Sequence, residues 1–323
     1  MEQDLSMQQI TQAAAVIAPY VKTTPLIRAG KLEALFDGAE VWLKLENLQH
    51  TGSFKLRGVA NKMLSLTTEE LARGVTAASS GNHAQAVSYM AAKLGTHAAI
   101  VMPENAPQAK VDGARGYGAE VIQYGFTGED RDFKCNELIA QHGYSLVHSH
   151  VDPYVIAGHA TAATEALGQM EGKVDAVVMP CGAGSLTSGA ARAVKGTDAR
   201  IQTIAVEPAA VPRFTESLKA GHPVTVELGQ TIADGLRVSK AEPINYRLIR
   251  DYVDTLLTIE EPWIARAVKE VALCAKIVAE PSACVGIAAA LAGKIDTSAG
   301  RRLCFIITGG NVDAGFYADL LRN

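Results

Sequence analysis

Apolar and polar positions follow two periods along the chain. Residues 6–20 put Ile10, Ala14, Ile17 and Ala18 on one stripe, which predicts an opening helix that Lys22-Thr23-Thr24-Pro25 ends. Leu26-Ile27 continues extended, 29–36 predicts a short helix, and 40–45 alternates as a strand. A helix follows over about 55–66, and Thr67-Thr68-Glu69-Glu70 reads as a cap and the start of another turn.

From Gly74 the pattern becomes regular. Strands at 75–78, 97–102, 119–123 and 145–147 alternate with helices at 84–94, 106–117 and 129–141. A second block opens with a helix over 153–170 and an almost wholly apolar strand at 174–179, as expected for a strand buried on both faces. Helix 186–194, strand 201–206, helix 212–220 and a polar loop at 231–236 come next. Strand 253–258, a long helix over 260–278, helix 282–292, strand 302–307 and a closing helix complete the chain. Strands that alternate with helices imply parallel βαβ units. The expected fold is α/β, with two three-layer domains on mostly parallel sheets. Residues 74–151 form the small domain; 1–70 and 152–323 form the large one.

Composition narrows the classes. The chain has 323 residues, 48% hydrophobic and 20% charged, the balance of a water-exposed globular protein. A net charge of −4 and a pI near 6.1 give no electrostatic footprint for nucleic acid or an anionic membrane. Cys135, Cys181, Cys274, Cys284 and Cys304 form no CxxC pair, which reads as reduced thiols in a cytoplasmic enzyme. The N-terminus has no basic-then-apolar signal pattern, and no apolar run is long enough to span a bilayer.

Four polar or glycine-rich turns sit where a strand gives way to a helix, the position where open parallel sheets bind ligands. Lys55 follows Thr51-Gly52-Ser53 at a helix start, beside backbone N–H groups with no helical partner. A lone surface lysine is the ordinary alternative; a lysine bonded to a carbonyl cofactor is the other. Cys181-Gly182-Ala183-Gly184-Ser185-Leu186 opens a helix after a buried strand and suits a phosphate. Its spacing is wrong for G-x-G-x-x-G and no Walker lysine follows, which argues against a nucleotide. Ser79-Ser80-Gly81-Asn82-His83 suits a carboxylate, or is a plain helix cap. Thr308-Gly309-Gly310-Asn311 ends the last strand with a hydroxyl. His142, His148, His150 and His159 match no metal signature, so no metal is expected; some should line a crevice.

Taken in order, Ser53-Phe54-Lys55-Leu56-Arg57-Gly58, Ser80-Gly81-Asn82-His83, the 182–186 loop, Thr231-Ile232-Ala233-Asp234-Gly235, Glu280-Pro281-Ser282 and Gly309-Gly310-Asn311-Val312-Asp313 carry a resemblance. The set resembles the pyridoxal-phosphate enzymes of fold type II, in the serine/threonine dehydratase (ammonia-lyase) and serine racemase family, over nearly the whole chain. The resemblance implies a cofactor, pyridoxal 5'-phosphate, in the cleft between the domains, an amino-acid substrate and a homodimer. Lys55 matches the lysine that holds the cofactor, Phe54 a residue packed at its ring and Asn82 the amide at its ring hydroxyl. Gly182, Ala183, Gly184, Ser185 and Leu186 match the phosphate loop, and Thr308 the hydroxyl at the pyridine nitrogen. Ser79, Gly81, Asn82 and His83 match the substrate-carboxylate loop, and Glu280 an acidic residue beside the cofactor. The implied reaction eliminates water from serine, threonine or a related 3-hydroxy amino acid, and hydrolysis of the product then gives a 2-oxo acid and ammonia.

Several positions depart from the family pattern. Ala183 and Ser185 replace two loop glycines, and His150 stands where racemase-like members carry an asparagine near the substrate. Arg213 follows Glu207-Pro208 where cation-binding members carry a further acidic residue, which argues against that metal site. The chain runs only briefly past Asn311, so no regulatory domain is expected. Ser80 matches the serine that racemase-type members use as a second acid/base, whereas many dehydratases have alanine there. An amino-acid racemase with elimination as a side activity is therefore the alternative. A non-catalytic cofactor-binding protein and a nucleotide-binding oxidoreductase are the outsiders.

Overall fold

Ten strands build two sheets in the computed structural model, which describes residues 5–171 and 173–322. The strands are β1 Leu26–Arg28, β2 Glu40–Leu45, β3 Val75–Ala78, β4 Ala98–Met102 and β5 Glu120–Gln123. They continue as β6 Ser145–Leu146, β7 Ala176–Pro180, β8 Gln202–Pro208, β9 Thr255–Ile259 and β10 Arg302–Ile307. The larger sheet has the order β1-β2-β10-β7-β8-β9, and the smaller β5-β4-β3-β6. Among the described residues only β1 runs antiparallel to its neighbour strand, β2; every other strand pairing is parallel. Mostly parallel α/β sheets are thus what the alternating pattern produces.

Period-two alternation explains the layers. Leu303, Phe305 and Ile307 face one core with Val41, Leu43 and residues of helix Pro281–Leu291. Cys304 and Ile306 face the other, with residues of helices Pro153–Gln169 and Ser185–Thr197. Each such side chain, fully buried, adds roughly 1.5–3 kcal/mol of hydrophobic stabilisation before entropy is counted. The smaller sheet is covered on one face by helices Asn82–Leu94 and Gln108–Arg115, and on the other by Cys135 and Leu138 of helix Gly128–His142.

Helix Lys55–Met63 joins the two halves. Its Leu56, Val59, Ala60 and Met63 belong to the core of the smaller sheet. Its other side crosses helix Pro153–Gln169 so closely that a Cβ on Gly158 would lie 2.4 Å from the Arg57 carbonyl oxygen. A Cβ on Gly58 would lie 2.5 Å from the His159 imidazole. Backbone meets backbone at that crossing, and only glycine permits it.

Caps account for several helix starts. Ser6 and Gln9, and Thr67 and Glu70, form reciprocal capping boxes, and Asp152 caps a helix that has Pro153 in its first turn. Two expectations need correction. The long helix over 260–278 is a helix at Glu261–Glu270 followed by a wide π turn at Val271–Ala275, closed by Lys276 in the left-handed region at φ 62°. The chain must turn there to return Glu280 to Gly309, whose carbonyl accepts the Glu280 N–H at 3.0 Å. A helix also forms at Pro243–Tyr252, in a stretch whose polar composition concealed it; Ile244, Leu248 and Ile249 supply its apolar side. Among the described residues no helix is long and apolar enough to cross a membrane.

Candidate active site

Adjacent strands bring the outlying motifs together. β2, β10 and β7 are neighbours, and beyond their carboxyl ends lie Lys55, Thr308 and the 182–186 loop. The Phe54 N–H donates to the Thr308 carbonyl at 3.0 Å, and Ser53 bridges Gly309, so the lysine turn is stitched to the end of β10. The half-buried Lys55 amine donates to the Ser149 carbonyl at 3.1 Å and lies 5.0 Å from the Phe54 ring centre. Burial pushes its pKa down to about 8, with the Glu280 charge opposing the shift. An amine in that range sheds its proton near neutral pH, as a nucleophile or base must.

The glycine-rich loop opens helix Ser185–Thr197. Gly184 has φ 97°, and a Cβ there would meet the Phe214 ring at 2.7 Å and Asn245 at 2.9 Å. Any side chain would therefore close the turn. Ser185 Oγ is 3.1 Å from His159 Nδ1, and the His159 ring packs edge-on to Phe54, 4.6 Å between centres. Asn245 was not visible as a site residue from sequence, since no spacing rule points to a buried amide in a polar stretch. Its Nδ2 donates to the carbonyls of Ala183 and His150 at 3.1 and 2.9 Å, fastening the loop to the segment that holds the Lys55 amine.

On the far side, the Ser79–His83 turn follows β3 of the smaller sheet. Ser79 Oγ accepts the Gly81 N–H at 3.2 Å, and helix Asn82–Leu94 begins next. Ser80 is half-buried in the same turn. Asn82 Nδ2 donates to both Glu280 oxygens at 2.9 and 3.2 Å, and its Oδ1 accepts from Asn311 Nδ2 at 2.7 Å. This amide–carboxylate chain ties the turn after β3 of the smaller sheet to Glu280 and Asn311, which flank the larger one. Burial raises the Glu280 pKa to about 7, although the Asn82 bond favours the charged form.

The histidines divide by environment. His83 is buried, with its Nε2–H donated to the Val147 carbonyl at 2.8 Å, so its ring supports the turn from below. His150 Nδ1 is 2.7 Å from Ser149 Oγ, and its ring meets His148 at 4.6 Å between centres. Burial first, then the Lys55 charge, depresses the His83 pKa to about 3. Burial also holds His150 and His159 well below the ordinary histidine range. A base whose folded pKa is depressed favours folding above its unfolded pKa, and that contribution is lost as pH falls. His83 alone is expected to cost about 2 kcal/mol between pH 6.5 and 5. Urea midpoints of wild type and His83→Gln across that interval measure it; the variant's curve should be the flatter. Among the described residues no cluster of three or more His, Cys, Asp or Glu has metal-ligand placement.

The arrangement fits a phosphate-bearing carbonyl cofactor. The first-turn N–H groups of helix Ser185–Thr197, which no side chain caps, the side-chain-free turn at Gly184 and the depressed Lys55 amine lie at neighbouring strand ends.

Comparison with known proteins agrees. The profile of the pyridoxal-phosphate dependent enzymes matches residues 17–309. The L-threo-3-hydroxyaspartate ammonia-lyase of Saccharomyces cerevisiae is 38% identical over 312 residues, covering 97% of this chain and 95% of the yeast protein. A catabolic L-threonine dehydratase of Staphylococcus aureus is 38% identical over 311 residues, 96% of this chain and 90% of the relative. The solved structure of maize serine racemase superposes with a TM-score of 0.93 at 33% identity, covering 100% of this chain and 98% of the maize chain. The chain belongs to the pyridoxal-phosphate-dependent enzymes of fold type II, in the ammonia-lyase and racemase family, and its cofactor is pyridoxal 5'-phosphate.

Proposed function

We propose that the chain is an ammonia-lyase that converts a 3-hydroxy amino acid such as serine, threonine or 3-hydroxyaspartate to its 2-oxo acid and ammonia; the water lost by β-elimination is taken up again when the released enamine hydrolyses. The observation that carries this is the Lys55 amine, held by the Ser149 carbonyl with its proton affinity reduced. The cofactor, when bound, supplies the sink for the electron pair released at Cα. Residues 1–70 and 152–323 bind it, with the 182–186 N–H groups on its phosphate, Phe54 against its ring and the Thr308 hydroxyl at its ring nitrogen. Residues 74–151 bring the Ser79, Gly81, Asn82 and His83 turn to the substrate carboxylate. Lys55 removes the Cα proton, and Asn82 and Glu280 hold the turn at the correct distance from it. His150 borders the substrate side chain.

Similarity to enzymes named for threonine and threo-3-hydroxyaspartate supports the 3-hydroxy class. The test is a panel of L-serine, L-threonine and L-threo-3-hydroxyaspartate, scored for ammonia and 2-oxo acid. Equimolar release of both from at least one substrate is expected; release from none sinks the lyase function.

Ser80 favours a second activity. It lies half-buried in the Ser79–His83 turn, and the resemblance to racemase-type members gives its hydroxyl the role of a second acid/base that returns a proton to the other face of Cα. Ser80→Ala is expected to abolish formation of the opposite enantiomer while 2-oxo acid release persists within about tenfold. Wild-type enzyme that forms no opposite enantiomer has no racemase activity to lose.

A further inference from the structure

Arg213 is a fully buried arginine that the proposed chemistry does not use. It starts helix Arg213–Ala220 and reaches behind the phosphate loop. Nη2 donates to the Cys181 carbonyl at 3.0 Å and to the Gly182 carbonyl. Nη1 donates to the carbonyls of Val238, Leu236 and Val211 at 2.8, 3.2 and 3.3 Å. Glu207 is buried nearby; burial pushes its pKa up, and the Arg213 charge opposes that shift. Its carboxylate accepts the Phe214 and Thr215 N–H groups at 3.2 and 2.8 Å.

Five carbonyl oxygens with a carboxylate nearby are the ligand class of a hard divalent cation. Here a guanidinium already takes the carbonyls, and its positive charge opposes a metal ion. The residues present do not fit the metal that cation-binding relatives carry after the equivalent of Glu207-Pro208.

Peptide geometry gives the arginine a further consequence. In a trans peptide the C=O of one residue and the N–H of the next point in opposite directions. Drawing the Cys181 and Gly182 carbonyls back onto Arg213 turns the Gly182 and Ala183 N–H groups away from it, into the cradle.

We propose that Arg213 is the resident cation of the phosphate cradle. It is a positioning residue that aims the Gly182 and Ala183 N–H groups at the cofactor phosphate and makes a metal unnecessary there. The inference rests on the assignment of the phosphate to the 182–186 loop.

The experiment measures the cofactor dissociation constant by absorbance and the bound phosphate by its ³¹P signal. Wild type, Arg213→Met, Arg213→Lys and Arg213→Asp are compared. Wild type is expected to ignore EDTA and millimolar Mg²⁺ or Mn²⁺. Arg213→Met is expected to weaken cofactor binding about tenfold or more and to shift the ³¹P signal, because several charge-assisted bonds are lost. Arg213→Lys, which keeps the charge without the fork, should lose less, and it carries the comparison if the methionine variant does not fold. Arg213→Asp places a second carboxylate beside Glu207, and Mg²⁺ or Mn²⁺ should then restore cofactor affinity.

The proposal is overturned if the methionine or lysine variant binds cofactor like wild type with an unmoved ³¹P signal. Loss of cofactor from wild type in EDTA, or no cation response in Arg213→Asp, also overturns it. If borohydride fixes no cofactor on wild-type Lys55, the assignment of the site itself has failed, and the inference with it.

Discussion

Lys55→Ala is expected to lower turnover of any 3-hydroxy amino acid by at least about 10⁴-fold, because in the proposed function one substitution removes both the cofactor's covalent anchor and the Cα base. The fold should survive, since the lysine side chain is only half-buried and makes one hydrogen bond, to the Ser149 carbonyl. Lys55→Arg is expected to fail as badly: a guanidinium stays protonated and cannot act as a base or nucleophile at neutral pH. A small exogenous amine such as methylamine should restore slow turnover to the alanine variant but not to the arginine one. Steady-state release of 2-oxo acid measures all three. Alanine-variant turnover within about tenfold of wild type would show that the chemistry lies elsewhere.

Arg57→Met is expected to cause the largest loss of stability, about 3–5 kcal/mol. Arg57 is buried two residues after Lys55 and grips two carboxylates. Nε and Nη2 donate to Glu46 at 2.8 Å each, and Nη1 and Nη2 to Glu165 at 3.1 and 2.9 Å. Lys44 completes the group with a 2.5 Å contact to Glu165, so two positive charges face two negative ones, with Lys44, Arg57 and Glu46 buried and Glu165 partly exposed. Burial disfavours the Glu165 charge, yet Arg57 and Lys44 outweigh it and hold the carboxyl below its usual pKa. Methionine fills the volume but leaves two carboxylates facing one lysine. Adding Glu46→Gln removes the uncompensated charge and should recover part of the loss, which separates electrostatics from packing. Urea denaturation of the three proteins reads the effect. A single variant within about 1 kcal/mol of wild type would mean that water, not Arg57, solvates the carboxylates.

Much of this was legible because period and punctuation agree along the chain. Val75–Ala78 and Ala176–Pro180 appear as strands because short apolar runs are bounded by turn residues. Lys55, Gly184 and Thr308 were recognisable together because strand-to-helix turns at neighbouring strands share one crevice, although which strands are neighbours is not written in any local pattern. Local patterns also fail where long-range packing decides. Helix Pro243–Tyr252 is stabilised by contacts with distant residues, and the π turn at Val271–Ala275 by the path back to Gly309. Arg213 was visible as a charge in an unexpected place. That five carbonyls from three segments converge on it could be known only from the folded chain. His83 likewise stood out as a polar residue in a turn, whereas its ring serves the Val147 carbonyl beneath.

Borohydride reduction of the holoenzyme, followed by proteolysis and mass measurement of the cofactor-bearing peptide, tests the central claim most directly. The expected result is one reduced phosphopyridoxyl group per chain, on Lys55. Recovery of the label on any other lysine, or on none, would contradict it.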